Sequence, residues 1–362
     1  GNVLAIQGLN YTPSDGDMLV LPELSQIIYQ GVGEHFFSTP TPGEVNSEEF
    51  WYRVADTNFS EDRGFYDEAF PLIISTDTPG ATIRYSLNGT TPVEADNTKS
   101  VAGITRSDST ATVTIAGHGY ADGDWVLIRG ADQAEYNGVF VISGVTSDTF
   151  TYEVAGAPAT PATGAMTAQS NYYTYTGPIT VDRTTTVRAA AFKAGHAPTD
   201  VDTQTYVFLD DVLVQPAAPP GMPATWGAEP ADYEMDPDVV EDPAYSDTLK
   251  QAFLSLPTMS IVTDEAHLFD PATGIYANPT IQGWERPTSL EYFDPNSSDE
   301  FQVNAGLRIY GGVGRQPRFK KHSFRVLFKE EYGDTKLRFP LFGEEAVDEF
   351  DTIILRSNFN DG

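Results

Sequence analysis

Apolar residues in this chain recur at every second position over short runs bounded by turn residues. Ala81-Thr82-Ile83-Arg84-Tyr85, Thr149 to Val154, Thr185 to Ala189 and Ser323 to Phe328 all follow this pattern. A period of two puts alternate side chains on one face of a pleated strand. With 31 glycines and 25 prolines among 362 residues, long helical periodicity is interrupted before it builds up. The expectation is a mainly β, multidomain protein. The Asn-Gly pairs at 88–89 and 137–138 suit tight two-residue hairpins, because both residues tolerate positive φ. The best helical segment runs from Ser246 to Leu256, with Ser246 as cap and Leu249, Ala252, Phe253 and Leu256 at helical spacing.

Charge narrows the partners. Twenty-one Lys and Arg stand against 52 Asp and Glu, a net of −31, so nucleic acid and anionic membrane surfaces meet repulsion. Neutral, cationic or metal-bearing partners remain. An apolar fraction of 40% is too high for a disordered chain. No uninterrupted apolar run is long enough for a membrane span. Zero cysteines remove disulfides, thiol catalysis and thiolate zinc sites together. The opening Gly1-Asn2-Val3 reads as the start of a piece of a longer protein.

The modules follow from where runs cluster. Residues 1–46 hold Val3 to Ile6 and Met18 to Leu21, which read as the end of a β-sandwich domain, since two strands make no stable sheet alone. Segments 47–100 and 171–209 belong together. Between them, residues 101–170 carry their own strands at Ala111–Ile115, Trp125–Ile128, Gly138–Ile142 and Phe150–Val154, as expected for a small β-module inserted at a loop tip. Residues 210–250 are proline-rich, with ten carboxylates and no basic residue between Asp210 and Asp247, and read as a semi-rigid, self-repelling linker. Residues 251–362 form a further globular unit.

Two stretches support family resemblances. Gly64-Phe65-Tyr66-Asp67, Ser75 to Pro92 and Tyr175 to Val187 resemble the chitobiase/β-hexosaminidase C-terminal-type domain, a small fibronectin-like sandwich and an accessory module rather than a hydrolase. The family usually has Asp-Gly where this chain has Asn88-Gly89.

The last unit holds the electrostatic anomaly. Between Gly306 and Arg338 lie nine of the 21 basic residues, Arg308, Arg315, Arg318, Lys320, Lys321, Arg325, Lys329, Lys336 and Arg338, against three acidic ones. Gly306, Gly311, Gly312 and Gly314 precede Lys320-Lys321, and backbone N–H groups in a glycine turn beside cations suit a phosphate. The spacing fits neither a Walker A loop nor Gly-x-Gly-x-x-Gly. Pattern alone also describes a β-hairpin with glycine turns and solvated arginines.

Leu256 to Thr263, Leu268 to Tyr276, Trp284-Glu285-Arg286-Pro287, Gly306 to Gly312 and Lys320-Lys321-His322-Ser323-Phe324-Arg325 resemble, in that order, the CotH family of secreted atypical protein kinases. The resemblance implies a partial α+β atypical-kinase-like domain behind the sandwich modules, and ATP with magnesium as cofactors. It implies nucleotide contacts from Lys321, Arg308, Gly311 and Gly312, with Lys321 and Ser323 on one strand face opposite His322. Relatives often carry a hydroxyl residue where this chain has Gly312-Val313-Gly314. In that family the acceptor-orienting and magnesium-holding residues follow the segment resembling Leu355 to Asp361. The resemblance therefore implies that this chain, ending at Gly362, lacks them.

Other constellations are weaker. Asp232, Glu234, Asp236, Asp238, Glu241 and Asp242 miss the calcium-loop spacing, because Val240 falls where a ligand belongs. Histidines 35, 118, 196, 267 and 322 have no ligand spacing. Trp51, Tyr52, Trp125, Tyr172 and Tyr173 suit stacking on sugars and equally suit core packing. Two functions follow as expectations. One is a secreted or cell-surface bacterial CotH-type protein whose accessory domains present a nucleotide-binding unit to an extracellular protein or glycan. The alternative is a non-catalytic adhesion or carbohydrate-associated scaffold.

Overall fold

The computed structural model describes residues 51–219, 221–343 and 345–357, together with the short strand His35–Phe36. The strands expected at Val3–Ile6 and Met18–Leu21 lie outside these residues. Among the described residues the architecture is mainly β, and no α-helix exceeds five residues. None is long and apolar enough to cross a membrane.

Strands from both sides of the 101–170 segment share one five-stranded sheet, in the order Tyr173–Thr174, Thr82–Ser86, Thr185–Phe192, Asp202–Val207 and Gly64–Phe65. Two strand pairs, Phe70–Leu72 with Ile179–Val181 and Thr57–Phe59 with Ile74–Thr76, supply the opposing layer. Leu72, Ile74 and Val181 meet Tyr85, Val187 and Tyr206 in one buried cluster. Alternation explains the sorting: Val187, Ala189 and Ala191 point into this core, while Arg188 points out of it. Arg188 is nevertheless buried, donates to the Gly89 carbonyl at 2.7 Å, and has its pKa lowered by burial to about 10.

The Asn-Gly pairs do not close hairpins. Strand Thr82–Ser86 has both edges filled by strands from beyond residue 170, so the chain leaving Gly89 has no place beside it. Asn88 instead accepts the Thr90 amide on its own side chain at 3.2 Å, and Gly89 takes φ +82°. Strands Trp125–Arg129 and Gly138–Val141 do pair, but across a longer loop that includes a turn at Ala134–Tyr136. Asn137 clamps that loop by accepting the Ala131 amide at 2.9 Å and donating to its carbonyl at 2.8 Å.

Residues 101–170 enclose a separate cluster built on Ile104, Val113, Val126, Ile128, Tyr136 and Phe150, between a three-stranded and a four-stranded sheet. Phe140 stacks on Tyr152 with ring centres 4.0 Å apart. The segment begins and ends beside itself, since Lys99–Ser100 pairs with Thr167–Ala168.

The C-terminal sheet is antiparallel, in the order Thr258–Val262, Arg286–Phe293, Glu300–Tyr310, Ser323–Leu327 and Thr352–Leu355. Leu290, Ala305, Leu307, Ile309, Val326 and Ile353 form its core on one face. The acidic stretch ahead of it, expected to be a self-repelling linker, carries short helices at Leu209–Leu213, Pro237–Val240 and Leu249–Phe253. Its Trp226 packs on Tyr276 with ring centres 5.9 Å apart and joins the C-terminal core. Several of its carboxylates bind local backbone rather than facing one another: Asp236 accepts the Asp238 amide and Asp242 that of Ala244. The helix expected from Ser246 starts as a 3-10 turn, becomes α-helical only at Leu249–Phe253, and has no side-chain cap at either start.

Two glycines of the inserted segment separate conformational strain from crowding. Gly130 takes φ +82° and a Cβ there would lie 2.2 Å from the Ala165 carbonyl oxygen, whereas Gly156 takes φ +71° in open space. Gly130→Ala is expected to destabilise this segment by about 3 kcal/mol and Gly156→Ala by about 1 kcal/mol. Hydrogen exchange of amides in 103–114 and 149–153 reads the difference, and equal losses would contradict the close approach at Gly130.

Candidate functional site

Strand Glu300–Tyr310 runs into Gly311-Gly312, then one 3-10 turn at Val313–Arg315. Gly311 takes φ +109°, where a side chain is strained, and a Cβ at Gly311 or Gly312 would meet nothing within 4 Å. The turn is open outside and fastened inside. Arg315 donates to the Ile309 carbonyl and, at 2.6 Å, to that of Ile281. His322 Nδ1 donates to the Gly314 carbonyl at 2.6 Å. Tyr276 donates its hydroxyl to the Lys320 carbonyl at 2.6 Å and accepts the His322 amide at 3.2 Å.

A carbonyl only accepts, so the His322 proton belongs on Nδ1. Burial lowers the His322 pKa, the bond to Gly314 opposes that, and Arg315 adds to the lowering. The ring is neutral at pH 7. Its seclusion was invisible in a sequence whose histidines have no mutual spacing, and its partner Gly314 gives no chemical signal.

Lys321 is not on the strand. The strand begins at Ser323, and Lys320-Lys321 form the bend before it, so the expected alternation of Lys321 with Ser323 does not hold. Both lysines are exposed, and Lys320 Nζ lies 4.0 Å from an Asp232 carboxylate oxygen. Through Gly314 and His322, the glycine turn and this bend are drawn together.

Arg308 is engaged elsewhere. Its Nε donates to Glu285 at 2.5 Å, and the same carboxylate accepts Lys329 Nζ at 2.6 Å and the Tyr332 hydroxyl at 2.9 Å. The Glu285 side chain is 9% exposed. Gly306 makes room for it, because a Cβ there would sit 2.4 Å from Glu285 Oε1. Burial raises the Glu285 pKa, but the hydrogen bonds from Lys329, Tyr332 and Arg308 outweigh it and leave the carboxyl below its usual value. Glu285 was legible only as part of the Trp-Glu-Arg-Pro motif. Its partners lie 23 to 47 positions away and have no periodic relation to it.

A cleft of about 510 Å³ opens where the sandwich meets the C-terminal unit. Its carboxylates are Asp56, Asp200 and Asp202 on one side and Glu330, Glu331 and Asp334 on the other. Arg53 also lines it and pairs with Asp200 at 2.5 Å. Such a lining repels phosphate. Lys321, Arg308, Gly311 and Gly312 are not part of it. Among the described residues, no three His, Asp or Glu side chains gather in a way that would hold a metal. Of the aromatics considered for sugar stacking, Tyr173 is fully buried and donates to the Trp125 carbonyl, while Tyr52 packs on His196. The side chain of Trp51 lies outside the described residues.

No family model matches the chain, and no curated protein matches it. Among solved structures it is similar to the phage phi92 endosialidase at 11% identity with a TM-score of 0.19, over 75% of this chain and 41% of that one. So low a score carries no argument about fold or function.

Replacing Glu285 by Ala leaves two cations facing a cavity and is expected to destabilise the protein by about 3 kcal/mol, with Glu285→Gln costing less. Because the folded carboxyl titrates below its ordinary value of 4.5, its stabilisation is full above pH 4.5 and is lost as pH falls through the lowered value. Urea melts across pH 3 to 7 should therefore show a wild-type advantage over Glu285→Gln that is constant above pH 5 and shrinks below pH 4.5. A gap that does not change with pH would contradict the assignment.

Proposed function

We propose that residues 251–362 are the N-terminal part of a CotH-like domain that binds ATP, in a secreted bacterial multidomain protein whose activity is phosphoryl transfer to an extracellular target. The ordered motifs from Leu256 to Arg356 are the sequence support. The observation that supports the reading is the fastening of Gly314 to His322 at 2.6 Å, which ties the segment after the open Gly311-Gly312 turn to the bend that carries the exposed Lys321. Backbone N–H groups of a glycine turn together with an ammonium are the elements a phosphate chain needs.

In this reading Gly311 and Gly312 let phosphate oxygens approach the backbone, and Lys321 supplies the positive charge. Arg308 acts one step removed. With Nε on Glu285 it holds the end of its strand, and so the start of the turn, in place. Bound ATP would supply the phosphoryl group with its magnesium, and the residues named here hold phosphate oxygens.

The acidic cleft favours a second reading. Its six carboxylates would turn a cationic face of a partner toward the chain. In this alternative the protein is a non-catalytic extracellular scaffold, associated with adhesion or carbohydrate, and the glycine turn is only a connection.

Calorimetric titration of ATP with magnesium into the whole chain separates the two. The nucleotide reading expects micromolar binding that Lys321→Ala weakens at least tenfold and that Lys336→Ala, a lysine paired with Glu349, leaves unchanged. No binding by the wild type, or equal loss in both variants, would overturn it.

A further inference from the structure

Strand Arg286–Phe293 is buried on both faces. Leu290 enters the C-terminal core, while Ser289, Glu291 and Phe293 point the other way and are at most 4% exposed. An outer sheet face with a carboxylate at its centre is ordinarily hydrated. Here the sandwich covers it: Thr203 and Thr205, on the outward face of strand Asp202–Val207, are 0% and 7% exposed.

The bonds across this contact are specific. Glu291 accepts Arg63 Nε at 3.1 Å, the Thr205 amide at 3.0 Å and the Thr205 hydroxyl. Arg63 also reaches Glu300 at 3.2 Å, and its side chain is 8% exposed. Asn304 donates to the Val201 carbonyl at 3.0 Å, and Thr205 and Ser260 share a hydroxyl bond at 2.9 Å. Phe65 packs edge-on against Phe293 at 5.6 Å.

Among the described residues, the donors to Glu291 all come from the sandwich. A fully buried carboxylate without donors is strongly unfavourable, so the C-terminal sheet is electrostatically complete only when the sandwich is in place. Arg63 stands in the mirror situation, since its two carboxylate partners, Glu291 and Glu300, both belong to the C-terminal sheet.

We infer that the outward face of the sandwich sheet is an intramolecular docking surface for strand Arg286–Phe293, and that the two units fold as one cooperative body. The sandwich is then a structural half of the C-terminal unit rather than a tethered accessory module. This holds whether or not the glycine turn takes a nucleotide.

The test uses the whole chain. Native-state hydrogen exchange on the wild type should give amides in strands Asp202–Val207 and Arg286–Phe293 the same maximal protection and the same denaturant dependence. Arg63→Met should raise the unfolding constant by about 10²- to 10³-fold, because it strands a buried carboxylate. Arg63→Met combined with Glu291→Leu should recover at least tenfold of what the two single changes would give together. Thr205→Val, which removes one donor and keeps the amide, is the milder variant should Arg63→Met not fold, and it should lower protection in both strands alike. Protection differing more than tenfold between the strands in the wild type, single changes that combine independently, or Thr205→Val affecting one strand alone would each overturn the inference.

Discussion

A carboxylate with no access to water has to find its hydrogen bonds inside the protein, and at Glu291 that requirement organises the contact between two β-sheets. Apolar surface alone would allow the sheets to slide, because packing of one β-face on another tolerates several registers. A charge that must meet one arginine and one threonine tolerates far fewer. The same contact fixes the strand that follows Glu285, so the geometry of the Glu285, Arg308, Lys329 and Tyr332 cluster is set from the sandwich side as well as from its own core. The glycine turn follows Arg308 at the end of the neighbouring strand, fastened by Arg315 and His322.

Charge is distributed accordingly. The chain is strongly acidic, yet its buried polar positions include Arg63, Arg84 and Arg188 alongside Glu285 and Glu291. A planar guanidinium satisfies several acceptors at once and remains charged when burial lowers its pKa, which suits it to positions closed off between layers. The exposed excess of carboxylates gathers at the cleft between the units and along the segment ahead of the C-terminal sheet.

What the sequence disclosed follows from the range of the forces involved. The mainly β character and the strands at 82–86, 149–153, 185–192 and 323–327 were legible because alternation is local. The Asn-Gly hairpins were misread because the turn chemistry is local but the neighbours of strand Thr82–Ser86 are not. The acidic segment looked like a semi-rigid, self-repelling linker because its charges are adjacent in sequence, while the Trp226 contact that ties it down reaches Tyr276, 50 positions away. Among the candidate residues, the glycine turn and Lys321 were visible as a composition anomaly. Arg308 was visible as a cation and, through the resemblance, as a nucleotide contact, while its ion pair was not, since its partner Glu285 belongs to a different strand boundary. His322 and Glu291 gave no sign, because burial and partner choice are properties of the assembled layers.

The interruption of the sandwich by a segment with a core of its own has a consequence in time. Ile83 pairs with Ala191, 108 positions further along, whereas the strands of the inserted segment find partners nearby, such as Ala111 with Arg106. During synthesis at the ribosome the inserted segment can therefore close while strand Thr82–Ser86 still waits with both edges bare. Because Lys99 and Ala168 are paired neighbours, closing it brings the two halves of the interrupted sheet side by side. The insertion then acts as a splint that shortens a long search into a short one.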